Sequence, residues 1–142
     1  MKTNFRLISF LKLCLLKYIF SLEPSATTNP VTYEACDVDT TNGAMDKSTG
    51  IFTAKRAGIY QFQFIARVLA GHYGHIWIVK GSENIALFGQ EKDEHHRGIS
   101  GSVITRLDLG QQLYANAQKG AKFDKSWSDR RIIFQGFLLA EL

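Results

Sequence analysis

The segment KGAKFDKSWSDRR, residues 119–131, combines cationic and aromatic side chains in a way that suits the binding of anions. Five bases stand there beside two acids, with two aromatic rings among them. Arginine binds phosphates and carboxylates through a bidentate fork, and lysine binds them as a point charge. The segment predicts an anionic-ligand loop whose candidate residues are Lys119, Lys122, Lys125, Trp127, Arg130 and Arg131. The alternative is a solvated loop whose rings fold back onto the core.

Two other segments, GHYGH (71–75) and EKDEHH (91–96), contain side chains that bind metals. Zn²⁺ favours histidine, cysteine and carboxylate ligands in a tetrahedron, and Ca²⁺ requires six to eight oxygens. Neither segment supplies a complete set of ligands. The hypothesis is a surface metal site completed across chains, and the alternative is a pair of solvated loops. The candidate ligands are His72, His75, Glu91, Asp93, Glu94, His95 and His96.

Catalysis is not predicted from any arrangement of nucleophile and base. Cys36 would need a positioned base such as His72 or His75, and the surrounding sequence does not support that pairing. The chain has neither a nucleophile elbow nor a glycine-rich phosphate loop followed by a helix. We therefore expect a non-enzymatic protein with no required cofactor. Burial on a strand is the favoured environment for Cys36.

The net charge of +4 is concentrated at the start of the chain. The first 26 residues hold four bases and one acid, which leaves thirteen bases and twelve acids in the remainder. A nearly neutral body argues against binding to nucleic acid through bulk charge. The length of 142 residues and the hydrophobic content of 45% fit one ordinary globular domain.

Residues 1–26 have the outline of a secretory signal peptide, with bases first, then an apolar run, then small residues. Lys12 and Lys17 interrupt the run, so three interpretations remain: a signal peptide, a divergent N-terminal strand, or a wrongly joined end of the gene model. A membrane span needs about 20 apolar residues, so no transmembrane anchor is predicted. We expect residues 27–142 to form the domain.

Beyond the leader, the chain reads as many short strands separated by turns that contain glycine. In GIYQFQF, period-two alternation places Tyr60, Phe62 and Phe64 on one face. Three exposed rings would favour aggregation, so they are predicted to lie in a core. Gln61 and Gln63 on the opposite face are expected to meet solvent or a neighbouring protomer.

The final strand is apolar on both faces. Ile133, Phe137 and Leu139 alternate with Phe134 and Leu138. A strand of this kind is covered on both sides, by the core on one side and by a subunit interface on the other. The pattern predicts an antiparallel sandwich or barrel that forms an oligomer.

The spacing around the aromatic row resembles the signature of the C1q globular domain family. In TGIFTAKRAGIYQFQF, a phenylalanine is followed after five residues by Gly-x-Tyr-x-Phe-x-aromatic, and downstream LDLGQQLYA and FQGFLLAEL resemble the closing motifs of that family. The residues of this signature are Phe52, Gly58, Tyr60, Phe62, Phe64, Gly136 and Phe137. The family's opening strand is not clear, and ISFLKL at 8–13 resembles a displaced version of it.

The resemblance implies an all-β jelly roll of about ten strands in two antiparallel sheets, related to tumour necrosis factor and assembled as a homotrimer. It implies a secreted recognition protein that binds microbial glycans, lipopolysaccharide or other anionic surfaces in innate defence. The alternatives are a receptor-binding ligand of the tumour-necrosis-factor kind and an extracellular metal-binding or structural protein. Some members bind Ca²⁺ near the trimer axis, so the resemblance keeps Ca²⁺ open as a ligand, with no residues of this sequence assigned to it. Tyr114, Phe137 and Leu139 are the expected trimer contacts.

Overall fold

The computed structural model describes residues 19–26, 29–124 and 133–142, with backbone alone for 19–26 and 34–37. This part of the chain contains ten strands and no helix. In chain order they are β1 (Ile19–Ala26), β2 (Thr32–Asp39), β3 (Met45–Asp46), β4 (Ile51–Thr53), β5 (Gly58–Val68), β6 (Ile76–Lys80), β7 (Glu83–Phe88), β8 (Arg97–Leu107), β9 (Gln112–Ala117) and β10 (Ile133–Glu141). A helix able to cross a membrane is therefore not found in these ranges.

The strands form two antiparallel sheets of five. The first sheet has the order β2-β1-β10-β5-β8, and the second has the order β3-β4-β9-β6-β7. Their inner faces enclose one core of aromatic and aliphatic side chains. The predicted two-sheet antiparallel jelly roll of about ten strands is confirmed.

The aromatic row on β5 lies in this core. Tyr60, Phe62 and Phe64 are each no more than 1% exposed. The ring of Phe62 meets Phe52 edge to face at 5.4 Å between centroids and stacks on Phe134 at 6.1 Å. These separations are in the favourable range for aromatic pairs. The row is therefore a core stripe and not a binding surface.

The two faces of β10 separate as the sequence predicts. Phe134 and Leu138 are fully buried, whereas Ile133, Phe137 and Leu139 are partly exposed on the outer face. The outer face of the first sheet thus carries large apolar side chains that the protomer covers only in part.

Gly58 begins β5 because the chain passes too close to β10 for any side chain. A Cβ atom at this position would lie 2.4 Å from Cδ1 of Leu138 and 2.5 Å from the carbonyl oxygen of Ala140. The second atom belongs to the backbone and cannot turn away. Any larger residue at this place in the signature would push the two strands apart.

The first strand lies later in the chain than the 8–13 segment suggested by the resemblance. β1 begins at Ile19, eight residues before the expected start of the domain, and pairs with β10 and β2. Its sequence, IFSLEPSA, lacks clean alternation, and the pairing with β2 shifts register on either side of Pro24. These irregularities explain why the sequence predicts an N-terminal strand only as one of three interpretations and does not locate it at residues 19–26. Residues 8–13 lie outside the described residues.

Cys36 lies on β2, as expected for a strand residue. Its side chain is outside the described part of the chain, so its burial stays a prediction.

Replacing Tyr33 by phenylalanine is expected to raise the free energy of unfolding by about 1 kcal/mol. The Tyr33 hydroxyl is buried without a hydrogen-bond partner among the described residues, while its ring stacks on Phe134 at 5.7 Å. Burial also raises the pKa of this phenol well above its ordinary value. Folding therefore favours the neutral form, so the wild type loses stability as the pH rises past about 10.

Urea denaturation of both proteins at pH 7 and at pH 10.5 tests this expectation. The advantage of Tyr33→Phe should be larger at the higher pH. A variant that is less stable than the wild type at pH 7 would show that the hydroxyl has a partner.

Candidate recognition site at the three-loop end

Three loops meet at one end of the sandwich, which we call the three-loop end. They are the β5–β6 loop (69–75), the β7–β8 loop (89–96) and the β9–β10 loop (118–132), of which residues 118–124 are described. Antiparallel pairing of β6 with β7 and β9 and of β5 with β8 and β10 brings these connections to the same edge. The fold thus joins the candidate anion-binding and metal-binding segments, which sequence analysis treated separately.

Backbone hydrogen bonds hold the three loops together. The β5–β6 loop contacts both of the others, through Leu69 N to Lys122 O at 3.0 Å, Gly71 N to Asp93 O at 2.7 Å, Gly74 N to Gln90 O at 3.2 Å and Gln118 N to His75 O at 2.9 Å. Bonds between backbone groups do not depend on side-chain rotamers. The backbone of the three-loop end is therefore held in place, and it fixes the positions from which the side chains project.

Two of the four histidines of the metal hypothesis have protein partners on their rings. Nδ1 of His75 is 2.7 Å from Oε1 of Gln118, and Nδ1 of His96 accepts a hydrogen bond from Ala70 N–H at 2.9 Å. These contacts fix the loops and occupy one nitrogen of each ring. His72 is partly buried, and Glu91, Glu94 and His95 are exposed.

Within residues 19–26, 29–124 and 133–142, no three His, Cys, Asp or Glu side chains are placed to hold a metal ion. A site completed by a second chain stays a prediction.

Asp93 acts as a fixed negative charge in the β7–β8 loop. Its carboxylate accepts a hydrogen bond from His95 N–H at 2.9 Å and pairs with Arg97 at 3.2 Å. The His95 amide and the Arg97 guanidinium together hold the pKa of Asp93 below its usual range. The carboxylate is therefore ionised at neutral pH and engaged by protein groups, which favours a structural role.

The three-loop end carries exposed lysines, which stand beside the exposed carboxylates Glu91 and Glu94. Lys119 and Lys122 are exposed on the β9–β10 loop. Lys92 joins them from the β7–β8 loop, where its Nζ lies 5.1 Å from the centre of the Tyr73 ring. Lys92 was not among the predicted residues because it is distant in sequence. Lys125, Trp127, Arg130 and Arg131 lie outside the described residues, so their positions stay predictions.

Phe123 folds back onto the sandwich, as the alternative interpretation of the basic segment expected. It is 6% exposed, and its ring lies 5.7 Å from the Phe64 ring at a tilt of 45°. This contact roots the β9–β10 loop in the core. Phe123 is thus unavailable as a ligand-stacking ring.

Asp124 anchors the same loop, a role that sequence analysis did not predict. Its backbone N–H donates to the carbonyl of Arg67 at 2.7 Å, and its carboxylate lies 3.6 Å from Arg67 Nε. The Asp124 side chain is only 1% exposed, against 27% for Arg67. A buried carboxylate next to the basic segment holds the start of that segment against the end of β5.

The expected trimer contacts do not share one face. Phe137 and Leu139 lie on the outer face of the first sheet. Tyr114 lies on the outer face of the second sheet, where its hydroxyl donates to the carbonyl of Gly81 at 3.1 Å. A trimer interface that includes Tyr114, Phe137 and Leu139 would have to involve the outer faces of both sheets.

Comparisons with known proteins agree with this architecture. A family model for the C1q domain matches residues 19–139, and the match begins with β1. The globular domain of zebrafish complement 1qA protein has a TM-score of 0.71 at 21% identity, covering 89% of this chain and 99% of that chain. Eiger TNF from S. frugiperda has a TM-score of 0.66 at 12% sequence identity, and the match covers 88% of this chain and 94% of that chain. Murine APRIL at pH 5.0 has a TM-score of 0.64 at 12% sequence identity, and the match covers 87% of this chain and 98% of that chain.

Proposed function

The chain belongs to the C1q domain family, and on that basis we propose that it is a non-enzymatic, extracellular recognition module that acts as a homotrimer. The observation that supports this proposal most is the three-loop end, where three loops hydrogen-bonded to one another present exposed lysines at one end of the sandwich. Loops held by a rigid scaffold are the usual place for binding residues.

The proposed ligands are anionic microbial surfaces, including lipopolysaccharide and acidic glycans, and the proposed setting is innate defence. Lys92, Lys119 and Lys122 supply point charges for phosphates and carboxylates. The basic residues predicted beyond Asp124 would extend the same surface. Three copies on one assembly would strengthen weak binding by avidity, by a factor of about 10² or more.

Replacing Lys119 and Lys122 together by alanine is expected to weaken binding to immobilised lipopolysaccharide by about tenfold or more. Each protomer loses two charges, and avidity multiplies the loss. The matched control replaces Lys55 and Arg56, two exposed bases of the β4–β5 loop, which lies at the opposite end of the sandwich. Surface plasmon resonance on both variants separates a local site from bulk charge. Equal weakening in the two variants would contradict the proposed site.

The trimer is proposed from the outer face of the first sheet, which carries the apolar side chains of β5 and β10. Ile59, Ile65, Ile133, Phe137 and Leu139 are all partly exposed there. Replacing Phe137 by aspartate is expected to convert a three-chain species into monomers, because the charge would be buried in the assembly. Light scattering at micromolar concentration measures this. A stable wild-type monomer would overturn the trimer.

A receptor-binding ligand is the second candidate, because the fold is also similar to Eiger TNF and APRIL. The two candidates differ in what the protein captures. A single cell-surface protein recovered with the wild type, together with no binding to lipopolysaccharide or to a glycan array, would favour the receptor ligand.

A further inference from the structure

A polar row crosses the middle of the outer face of the first sheet. Strand register places Ser102 of β8, Gln63 of β5 and Gln135 of β10 side by side. Nε2 of Gln135 donates a hydrogen bond to Oε1 of Gln63 at 2.6 Å. Both glutamines are only partly exposed, and both point away from the core. This hydrogen-bonded pair is the Gln63–Gln135 pair.

Apolar side chains lie on either side of the pair. The adjacent row toward the three-loop end holds Ile65 opposite Ile133. The adjacent row on the other side holds Phe137, Gln61 and Ile104, of which Ile104 is 61% exposed. Isoleucine and phenylalanine side chains thus flank the hydrogen-bonded pair, and the same two rows also hold the polar residues Ser100 and Gln61.

The hydrogen-bonding capacity of the two amides makes the Gln63–Gln135 pair unfavourable to bury unless the covering surface offers hydrogen-bond partners. A glutamine side chain can form four hydrogen bonds, and the bond within the pair uses one from each residue. Water can meet the others while the face is open. If other copies cover the face, that water is lost, and each amide group left without a partner weakens association by about tenfold.

We propose that the Gln63–Gln135 pair determines which arrangement of copies this face accepts, a role that rests on the proposed trimer. Apolar contacts alone would tolerate copies that slide or join in other numbers. The pair favours the arrangement in which neighbouring copies form hydrogen bonds with its remaining donors and acceptors. It disfavours every arrangement that buries those donors and acceptors without a hydrogen bond. A single polar residue in an apolar coiled-coil seam specifies register and oligomeric state in the same way, at a cost in stability.

Native mass spectrometry of Gln63→Met/Gln135→Met tests the proposal, since methionine has a similar length and no amide. The wild type is expected to give one three-chain species. The double variant is expected to assemble still, but into several stoichiometries. Gln135→Met alone leaves Gln63 without its partner, so its dissociation midpoint should rise by about tenfold.

The matched control is Gln112→Met, an exposed glutamine on β9 of the second sheet, away from this face. It should keep the single three-chain species. These side chains point away from the core, so circular dichroism should report an unchanged fold in all variants. A double variant that forms only the same trimer, or that becomes monomeric, would overturn the specificity role. A monomeric wild type would overturn the proposed trimer itself.

Discussion

Replacing Phe134 by alanine is expected to lower the free energy of unfolding by about 3–5 kcal/mol, a large part of the stability of a domain this size. Phe134 is fully buried at the centre of the aromatic core. Its ring stacks on Tyr33 at 5.7 Å and on Phe62 at 6.1 Å, and it tilts against Phe64 at 5.9 Å. Three rings from two other strands, β2 and β5, meet this side chain, so its removal leaves a cavity that no single neighbour can fill.

Chemical denaturation at several protein concentrations measures the effect, with Phe137→Ala as the control. Phe137 is the same residue type on the same strand, but it lies on the outer face. The loss from Phe134→Ala should be independent of concentration because it arises within the protomer. The loss from Phe137→Ala should depend on concentration if copies cover it. A loss below about 1 kcal/mol for Phe134→Ala would contradict the packing.

Replacing Asp124 by alanine is expected to lower the free energy of unfolding by about 3 kcal/mol, at the lower end of the range for broken buried ion pairs. The carboxylate is buried, and its removal leaves Arg67 without this counter-charge. The lower end applies because the Arg67 side chain is 27% exposed and can turn toward water. The start of the β9–β10 loop should loosen, so binding to lipopolysaccharide should fall although every base is retained.

Two measurements separate this role from a general loss of stability. Amide exchange at Leu69 should accelerate, because its N–H donates to Lys122 in the anchored loop. Asp108→Ala is the control, since Asp108 pairs with Arg106 at 3.3 Å with both side chains at least 65% exposed. That pair should contribute less than about 1 kcal/mol. Equal losses in the two variants would refute an anchoring role for Asp124.

The fold was predictable where the pattern is local. Alternation along β5 placed Tyr60, Phe62 and Phe64 on one face, and each of them is buried. Apolar residues at every position near the end of β10 predicted two covered faces, and the structure separates them into a core face and an open one. Period two is a property of the strand itself, so it is visible before any partner strand is known.

The site was predictable only in part, because its contacts are long-range. Lys119 and Lys122 were found from the charge of one segment, but Lys92 reaches the same surface from a loop nearly thirty residues earlier. In the sequence, Asp124 is one acid within a basic segment. Its role follows from the pairing with Arg67, which is far away in sequence. The chain carries no local mark of such pairings. The N-terminal strand stayed one of three interpretations, and β1 was not located at residues 19–26, because its irregular register hides the alternation that identifies a strand.

The end of β10 has a practical consequence for display. The Leu142 amide donates to the Ala57 carbonyl just before β5. Residue 142 therefore lies at one pole of the sandwich, while the loops after β5, β7 and β9 occupy the other. A tether at this residue, whether a fusion partner or a sensor surface, would leave the lysine-bearing pole facing outward.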